Sequence, residues 1–191
     1  MATSILDTAA VRQAVLPISV DQYHRLGAAG IISENTELLR GVILEKMIKT
    51  PRHTWFVERL ADWLRENLPA GFYVRQEQPL TLVDSEPEPD IAVVSGMRDD
   101  YQDAHPATAR LVIEVAITSE GIDREKASLY ADAGVSEYWI VLPGETIVER
   151  YREATSDGYA SVERFKTMDS VTSLLLPDVR LELSSIFSRD G

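Results

Sequence analysis

Apolar residues along the chain occur both in short uninterrupted runs and in alternation with polar residues, and the two patterns predict different kinds of strand. Residues 91–94, 111–117 and 138–142 are uninterrupted runs, typical of strands buried on both faces of a sheet. Alternation predicts strands with one exposed face in the segments 37–49 (a hairpin around Gly41), 72–82, 146–152, 159–165 and near 174–183. The sequence therefore predicts a sheet whose central strands are the most apolar.

Three other segments have apolar residues at the three-to-four-residue spacing that predicts amphipathic helices. Ser19 can cap the first, Thr50-Pro51 opens the second, and Gly134 ends the third. These segments are 19–29, 51–67 and 119–133. The third connects two buried runs as a crossover, so the order of elements predicts an α/β (α+β) fold, with a mixed central β-sheet flanked by helices.

The length and composition are those of one globular domain with its own core. The chain has 191 residues, of which 45% are hydrophobic and 26% are charged. Residues 1–18 show no clear pattern, and we interpret them as an N-terminal arm. We expect the remainder, residues 19–191, to form a single domain.

The residue types also bear on the compartment. The chain has no cysteine, which excludes disulfides, thiolate metal sites and a cysteine nucleophile, and which fits a reducing environment. The first thirty residues lack the basic and apolar regions of a signal peptide. No apolar run approaches the roughly 18 residues that a membrane span needs. We therefore expect a cytoplasmic protein without a membrane partner.

The net charge of −12 restricts the mode of any nucleic-acid binding. Proteins that grip phosphates usually carry a basic face, and an acidic total makes a broad face of this kind less expected. A local basic patch remains compatible with the sequence. The acidic surplus favours a site that collects cations.

Two acids stand where the apolar strands predict a core. Asp90 opens the run 91–94 in EPEPDIAVV, and Glu114 lies inside LVIEVAI. If the two strands are neighbours, about 4.8 Å apart, both carboxylates can reach one hard cation such as Mg²⁺. Without an ion or a proton, their burial would cost roughly several kcal/mol. The pattern thus predicts a metal site.

The residues around these acids resemble a known family. The run EVAITSEGIDREKASLYADAGVSEYWIVLP (114–143), with EPEPDIAVV before it and ELLRGVILEKM further upstream, resembles the PD-(D/E)xK nuclease superfamily. More closely, it is similar to the Uma-type restriction endonucleases. The resemblance extends over about residues 19–185, and its most specific part is the run from Glu114 to Trp139. It implies a restriction-endonuclease-like core.

The resemblance also implies a ligand set for Mg²⁺ or Mn²⁺. In the superfamily, the two strand acids bind the ion, and these map onto Asp90 and Glu114. The carbonyl of Val115 is the expected third ligand. A further glutamate near the first strands sometimes joins the site; Glu37 is the nearest match, and Glu77 is a second candidate. One ion and two ions are both compatible with this set.

The lysine of the superfamily pattern is displaced in this chain. It is expected two residues after the strand glutamate, where Ala116 stands. In the Uma-type pattern the lysine lies on the following helix, and Lys126 fits that position. The family also often has a polar residue at the position of Ile117. The implied reaction is hydrolysis of phosphodiester bonds in nucleic acid, with DNA as the expected substrate and Lys126 stabilising charge on the phosphoryl oxygens.

Several other residues have plainer interpretations. A histidine in a first helical turn, such as His53, is more typical of packing or capping, and the three histidines do not form a metal-binding pattern. Asp123 can cap or salt-bridge its own helix as readily as reach the site. Tyr138 and Trp139 are expected in the core rather than in a base-stacking surface.

Two alternatives to a nuclease stay open at this point. Ala116 and the charge of −12 are compatible with a catalytically inactive nuclease-fold module that binds protein or nucleic acid. The half-polar strands after Thr146 are compatible with an acidic dimeric partner protein of the antitoxin kind, paired at a sheet edge. A homodimer is also expected for a nuclease, because superfamily members often pair to cut both strands. The sequence does not distinguish DNA from RNA and does not define a recognised base sequence.

Overall fold

The computed structural model describes residues 8–188, which form five α-helices and ten strands. The helices are α1 (Ala9–Ala14), α2 (Val20–Ala28), α3 (Pro51–Asn67), α4 (Glu120–Asp132) and α5 (Leu183–Phe187). The strands are β1 (Thr36–Leu39), β2 (Val42–Glu45), β3 (Phe72–Gln76), β4 (Ile91–Ser95), β5 (Leu111–Val115), β6 (Glu137–Leu142), β7 (Ile147–Thr155), β8 (Gly158–Lys166), β9 (Ser170–Ser173) and β10 (Leu176–Glu182).

The centre of the fold is a six-stranded mixed sheet in the order β3-β4-β5-β6-β7-β8. Strands β5 and β6 are parallel, while the other neighbouring pairs are antiparallel. Helix α4 makes the crossover between the two parallel strands, as the sequence predicts. The fold class, a mixed central sheet flanked by helices, is confirmed.

The limits of several strands differ from the predictions. Strand β3 ends at Gln76 instead of continuing to residue 82, because Glu77 takes a left-handed backbone conformation (φ 51°) that turns the chain. Residues 80–87 instead form their own turn, in which the Leu80 amide donates to the Pro87 carbonyl (3.0 Å). Strand β5 ends at Val115 rather than at residue 117. The predicted strand-rich end of the chain, near 174–183, is the hairpin β9–β10, which forms a separate sheet.

Two short helices were not predicted. Helix α1 (Ala9–Ala14) lies within the predicted arm, whose residues 1–7 are outside the described part of the chain. Helix α5 (Leu183–Phe187) follows β10 and buries Leu183 and Ile186. Both helices are too short for helical periodicity to stand out in the sequence.

Helix α3 builds the hydrophobic core on one face of the sheet. Its buried side chains Phe56, Leu60 and Leu64 belong to one cluster with Ile113 and Trp139 of the central strands. Thr50 caps the helix, since its hydroxyl oxygen accepts a hydrogen bond from the His53 amide (3.2 Å). The cap fixes the start of α3, and the apolar stripe packs the helix against β3 and β5.

Helix α4 builds the core on the opposite face. Leu129 and Tyr130 pack there with Val112, Tyr138 and Ile140. Tyr138 is fully buried on this face of the sheet, and Trp139 is fully buried on the opposite face. The prediction that both are core residues is confirmed. Among the described helices, none has both the length and the apolar character that crossing a bilayer requires.

A buried ionic network connects α4 with β7 and β8. The Glu149 carboxylate on β7 accepts hydrogen bonds from Arg124 Nη2 (2.7 Å) and from the Tyr151 hydroxyl (2.7 Å), and it also contacts Arg164 on β8. Burial by itself raises the pKa of Glu149, but these hydrogen bonds outweigh it and lower the pKa to about 2. The network therefore stabilises the ionised carboxylate and the position of α4.

Replacing Glu149 by glutamine is expected to lower the free energy of unfolding by about 2 kcal/mol at pH 7, because charge-assisted hydrogen bonds are lost. A lowered pKa gives stability that is present above the ordinary value and is lost as the pH falls toward the folded value. The deficit should therefore shrink between about pH 4.5 and pH 2. Urea unfolding at pH 7 and pH 3 measures this. Glu145→Gln, at an exposed turn, is the control, and a pH-independent deficit would contradict the assignment.

Candidate active site

A cleft of about 90 Å³ opens where the start of β4, the end of β5 and the first turns of α3 and α4 meet. The register of β4 on β5 pairs Ile91 with Ile113, which brings Asp90 beside Glu114 on the next strand. The cleft lining includes five of the residues predicted for the site: Glu37, Asp90, Glu114, Val115 and Lys126. Glu77, the second candidate glutamate, is outside this lining. The two acid-bearing strands are therefore neighbours, as the sequence predicts.

Asp90 is held in place by contacts to one carboxylate oxygen and to its backbone carbonyl. Its Oδ2 accepts a hydrogen bond from the Val115 amide (2.7 Å) and lies 3.0 Å from His53 Nε2. Its backbone carbonyl accepts from the Glu77 amide (3.1 Å). The other carboxylate oxygen, Oδ1, forms no hydrogen bond with the described residues, so it is available to a ligand.

Glu114 lies deeper in the cleft and is almost completely buried. Its Oε2 accepts from the Asp90 amide (3.2 Å), and its Oε1 accepts from Lys126 Nζ (3.2 Å) and from the Tyr130 hydroxyl (2.9 Å). Burial raises the pKa of Glu114 well above its ordinary value; Lys126 opposes this shift, and the Asp90 and Asp123 carboxylates add to it.

The Lys126 amine lies among three carboxylates. Its Nζ is 3.1 Å from Glu37 Oε2, 3.2 Å from Glu114 Oε1 and 3.8 Å from Asp123 Oδ1, and its side chain is only 6% exposed. Burial alone would lower the pKa of Lys126, but the attraction of these carboxylates outweighs it and raises the pKa. The amine therefore stays protonated and faces the acids from the helix side.

The cleft has more acids than one lysine neutralises. Glu37, Glu114 and Asp123 surround the Lys126 ammonium group, and Asp90 lies beside Glu114, so these five side chains carry an excess of three negative charges if all four acids are ionised. Burial raises the pKa of Asp123 to about 6, although Lys126 opposes this shift. Carboxylate oxygens are the ligands that Mg²⁺ and Mn²⁺ prefer, so the donor set fits a hard divalent cation.

A second group of candidate ligands lies on the other side of Asp90. Ligand atoms of His53, Glu77 and Asp90 lie within 4.8 Å of one another. Glu77 also pairs with Lys49 (3.0 Å). Burial lowers the pKa of His53, but the hydrogen bond and charge of Asp90 outweigh this and raise it. The group offers one imidazole and two carboxylates, a mixed set that Mn²⁺ accepts more readily than Mg²⁺.

The sequence indicates His53 and Glu77 less strongly than the strand acids, although it contains signals for both. His53 lies at helical spacing from the buried residues Phe56, Val57 and Leu60, which places it on the inward side of α3. The pairing of β3 with β4 sets residue 77 opposite Asp90 once Gln76 is opposite Ile91. The hydroxyl contact of Tyr130 with the strand glutamate was missed altogether, since a tyrosine at a helical core position gives no further signal.

Other predicted positions have structural roles. Ala116 is buried in the core on the α4 face, and its methyl group cannot take the role of the lysine that the superfamily has at this position. Ile117 lines the cleft with an apolar side chain. Ser119 donates its hydroxyl to Asp123 Oδ2 (2.5 Å), so Asp123 takes part both in its own helix turn and in the lysine cluster. His24 and His105 lie outside the cleft lining.

The fold of the chain is similar to that of a solved structure. A crystal structure from Anabaena variabilis, described as "a putative nuclease belonging to DUF820", has a TM-score of 0.73 to this chain. Its sequence identity is 18%, and the match covers 90% of this chain and 98% of that chain. At this identity the likeness shows the fold alone, which is that of a nuclease-like mixed-sheet protein.

The family is shown by the sequence itself. The model of the Uma2 family, described as "Putative restriction endonuclease", matches residues 20–184, and the chain belongs to this family. The resemblance to the Uma-type family is confirmed. No curated protein matches the chain significantly. The family and the solved structure together support a nuclease function in general terms.

Proposed function

We propose that this protein is a metal-dependent endonuclease of the PD-(D/E)xK type that hydrolyses phosphodiester bonds, with DNA as its substrate and Mg²⁺ or Mn²⁺ as its cofactor. One observation carries the proposal: Asp90 and Glu114, from neighbouring strands, meet beside the buried amine of Lys126 in a single cleft. A structural ion pair would need one acid for one amine, whereas this cleft has an excess of acids.

Two of the carboxylates are the proposed ligands of the ion. Asp90 and Glu114 would hold the ion together with the Val115 carbonyl, and a bound ion would supply Lewis-acid activation of the scissile phosphate and of the attacking water. The Val115 amide and His53 orient Asp90 through its Oδ2, which leaves Oδ1 for the ion. Tyr130 and the Asp90 amide orient Glu114 in the same way.

Lys126 takes the part of the lysine missing at position 116. Its ammonium group, held by Glu37 and Glu114, stabilises the negative charge that develops on the phosphoryl oxygens. Glu37 is thus a positioning residue, which keeps the amine in the cleft. The group of His53, Glu77 and Asp90 would hold a second cation, and that ion would then replace the direct contact between His53 and Asp90 Oδ2.

The metal is tested by calorimetric titration of Mn²⁺ into the wild type and into Glu114→Gln. We expect binding to the wild type and at least about 10-fold weaker binding to the variant, because one carboxylate ligand becomes neutral. Glu58→Gln, at an exposed position of α3, is the matched control and should bind as the wild type does. Equal Mn²⁺ binding by all three proteins would contradict the assigned ligands.

The reaction is tested with double-stranded DNA, single-stranded DNA and RNA, each with Mg²⁺, with Mn²⁺ and with EDTA. Cleavage that EDTA stops is the expected outcome. Mn²⁺ binding that depends on Glu114 without cleavage of any substrate would instead support the inactive nuclease-fold module, which Ala116 favours. RNA cleavage alone would overturn the choice of DNA.

We further propose that the active form is a cytoplasmic homodimer in which residues 19–191 form a single domain after an arm of residues 1–18. Two copies of a cleft with one set of strand acids can cut both strands of a duplex. Strand β8 is the outermost strand of the six-stranded sheet, and Val162 on it is 52% exposed, so this edge is a suitable interface.

A further inference from the structure

A second pocket, of about 480 Å³, lies beside β3 at the other edge of the six-stranded sheet. Its lining consists of polar and aromatic side chains: Tyr73, Arg75, Gln78, Arg98, Tyr101 and Gln102, with the carboxylate of Asp99. None of these residues lines the cleft of the candidate active site. The pocket is therefore a separate feature, and the proposed reaction leaves its residues without a role.

Arg75 is the unusual member of this pocket, because its charge is buried without an acid. The residue is 3% exposed, and no carboxylate of the described chain lies within ion-pair distance of it. Its Nη2 donates to the Pro79 carbonyl (3.3 Å) and to His105 Nδ1 (3.1 Å), while its buried Nε has no hydrogen-bond partner. The Tyr101 ring, 5.5 Å from the guanidinium carbon, is neutral as well.

The partners of Arg75 do not neutralise it. Burial lowers the pKa of His105, and the charge of Arg75 lowers it further, so Nδ1 accepts the hydrogen bond as a neutral imidazole nitrogen. Burial also lowers the pKa of Arg75, but a guanidinium group keeps its proton in proteins. A buried charge without a counter-ion is strongly destabilising, which points to a counter-ion from outside the chain.

We propose that this pocket binds an oxyanion of the phosphate class, with Arg75 donating from its interior and the exposed Arg98 from its entrance. Guanidinium groups match the geometry of phosphate oxygens, and the amides of Gln78 and Gln102 supply further donors. Asp99 opposes an anion, but the two arginines leave an excess of one positive charge.

The position of the pocket identifies a source for this phosphate, and this step rests on the proposed function. Arg75 pairs with Ala92, which pairs with Val112, two residues before Glu114. Ala92 and Val112 pack on the α4 face, so Arg75 and Glu114 are on the same face of the sheet. Two strand spacings and two residue rises separate their Cα atoms by roughly 12 Å. Measured along the axis of a duplex, at 3.4 Å per nucleotide, this distance corresponds to about three to four nucleotides. The oxyanion is then a backbone phosphate at a distance from the cut.

The test compares thermal unfolding of the wild type, Arg75→Met and Arg98→Ala with Arg25→Met as the charge-matched control. Arg25 is an exposed residue of α2 that pairs with Asp21. Inorganic phosphate is added in EDTA at constant ionic strength. At ten times the dissociation constant, it should raise the unfolding temperature of the wild type and of the control by about 3–6 °C.

The two pocket variants should respond differently. Arg75→Met removes an uncompensated buried charge, so without phosphate it should unfold at or above the wild-type temperature, and phosphate should not shift it. Arg98→Ala changes an exposed residue, so it keeps the fold and remains informative if Arg75→Met does not fold. We expect at least about 10-fold weaker phosphate binding by Arg98→Ala. An equal phosphate shift in all four proteins would overturn the proposal.

Further arms distinguish the sources of the phosphate and separate this proposal from the nuclease. A single-stranded DNA of twelve nucleotides, a nucleoside monophosphate and inorganic phosphate are compared in EDTA, which prevents cleavage. Tighter DNA binding that Arg75→Met weakens supports a backbone phosphate; binding of the small anions alone overturns that source and supports a free ligand. If phosphate raises the unfolding temperature through Arg75 but the protein cleaves no nucleic acid, the proposed nuclease activity is wrong and the proposed phosphate site stands. If the protein cleaves nucleic acid but phosphate does not shift its unfolding temperature, the phosphate site is wrong and the nuclease activity stands.

Discussion

Asp90→Asn is expected to lower the rate of phosphodiester cleavage at least about 100-fold, while the protein stays folded. Asparagine keeps an oxygen that can accept the hydrogen bond of the Val115 amide, so the local backbone arrangement survives. It loses the negative charge that the proposed ion requires. The measurement is the initial rate of plasmid cleavage with saturating Mg²⁺ or Mn²⁺, beside urea unfolding of both proteins.

The control for this variant is Asp84→Asn. Asp84 lies six residues upstream in the same acidic stretch, but it is half exposed and pairs with Arg40 outside the cleft. The Asp84→Asn protein should cleave the plasmid at the wild-type rate. An Asp90→Asn protein with an unchanged rate would remove Asp90 from the mechanism, and an equal loss in both variants would show a general effect of charge rather than a role at one position.

The sequence predicts the central elements well because each depends on a local pattern. The uninterrupted runs identify β4, β5 and β6, and the helical periodicity with its caps identifies α3 and α4. The meeting of Asp90 with Glu114 follows from a single assumption, that their two strands are neighbours, and the β4–β5 pairing confirms it. Predicting the position of Lys126 requires one further assumption, that the helix after β5 folds back over the acids.

Other features depend on contacts that no local pattern contains. Glu77 lies beside Asp90 only because β3 pairs with β4 in one register and then turns with a positive φ. The unpaired charge of Arg75 is visible only when the surroundings of the residue are known, since an arginine in an alternating strand predicts an exposed side chain. Side-chain environments, rather than elements, are therefore what the sequence leaves undetermined here.

Lys126→Met is expected to lower the free energy of unfolding by about 3–5 kcal/mol at pH 8, because removing one partner of a buried ionic cluster leaves its charges uncompensated. Methionine keeps most of the length and volume of the side chain, so loss of packing is small. The remaining carboxylates of Glu37, Glu114 and Asp123 would then face one another without a cation. Urea unfolding, with Lys166→Met on β8 as the control, measures the loss.

The pH dependence identifies the cause of that loss. The pKa of Asp123 is raised to about 6 in the wild type, and without Lys126 the pKa values of Asp123 and Glu114 rise further, since the lysine opposes both shifts. A raised pKa gives stability that is present below the ordinary value and is lost as the pH rises through the folded value. The deficit of Lys126→Met should therefore be small near pH 4 and grow above about pH 6. Mn²⁺ should restore part of it, as should a second substitution, Glu114→Gln. A deficit that is equal at pH 4 and pH 8 would show that Lys126 contributes packing rather than charge, and the excess of acids in the cleft would then need another explanation.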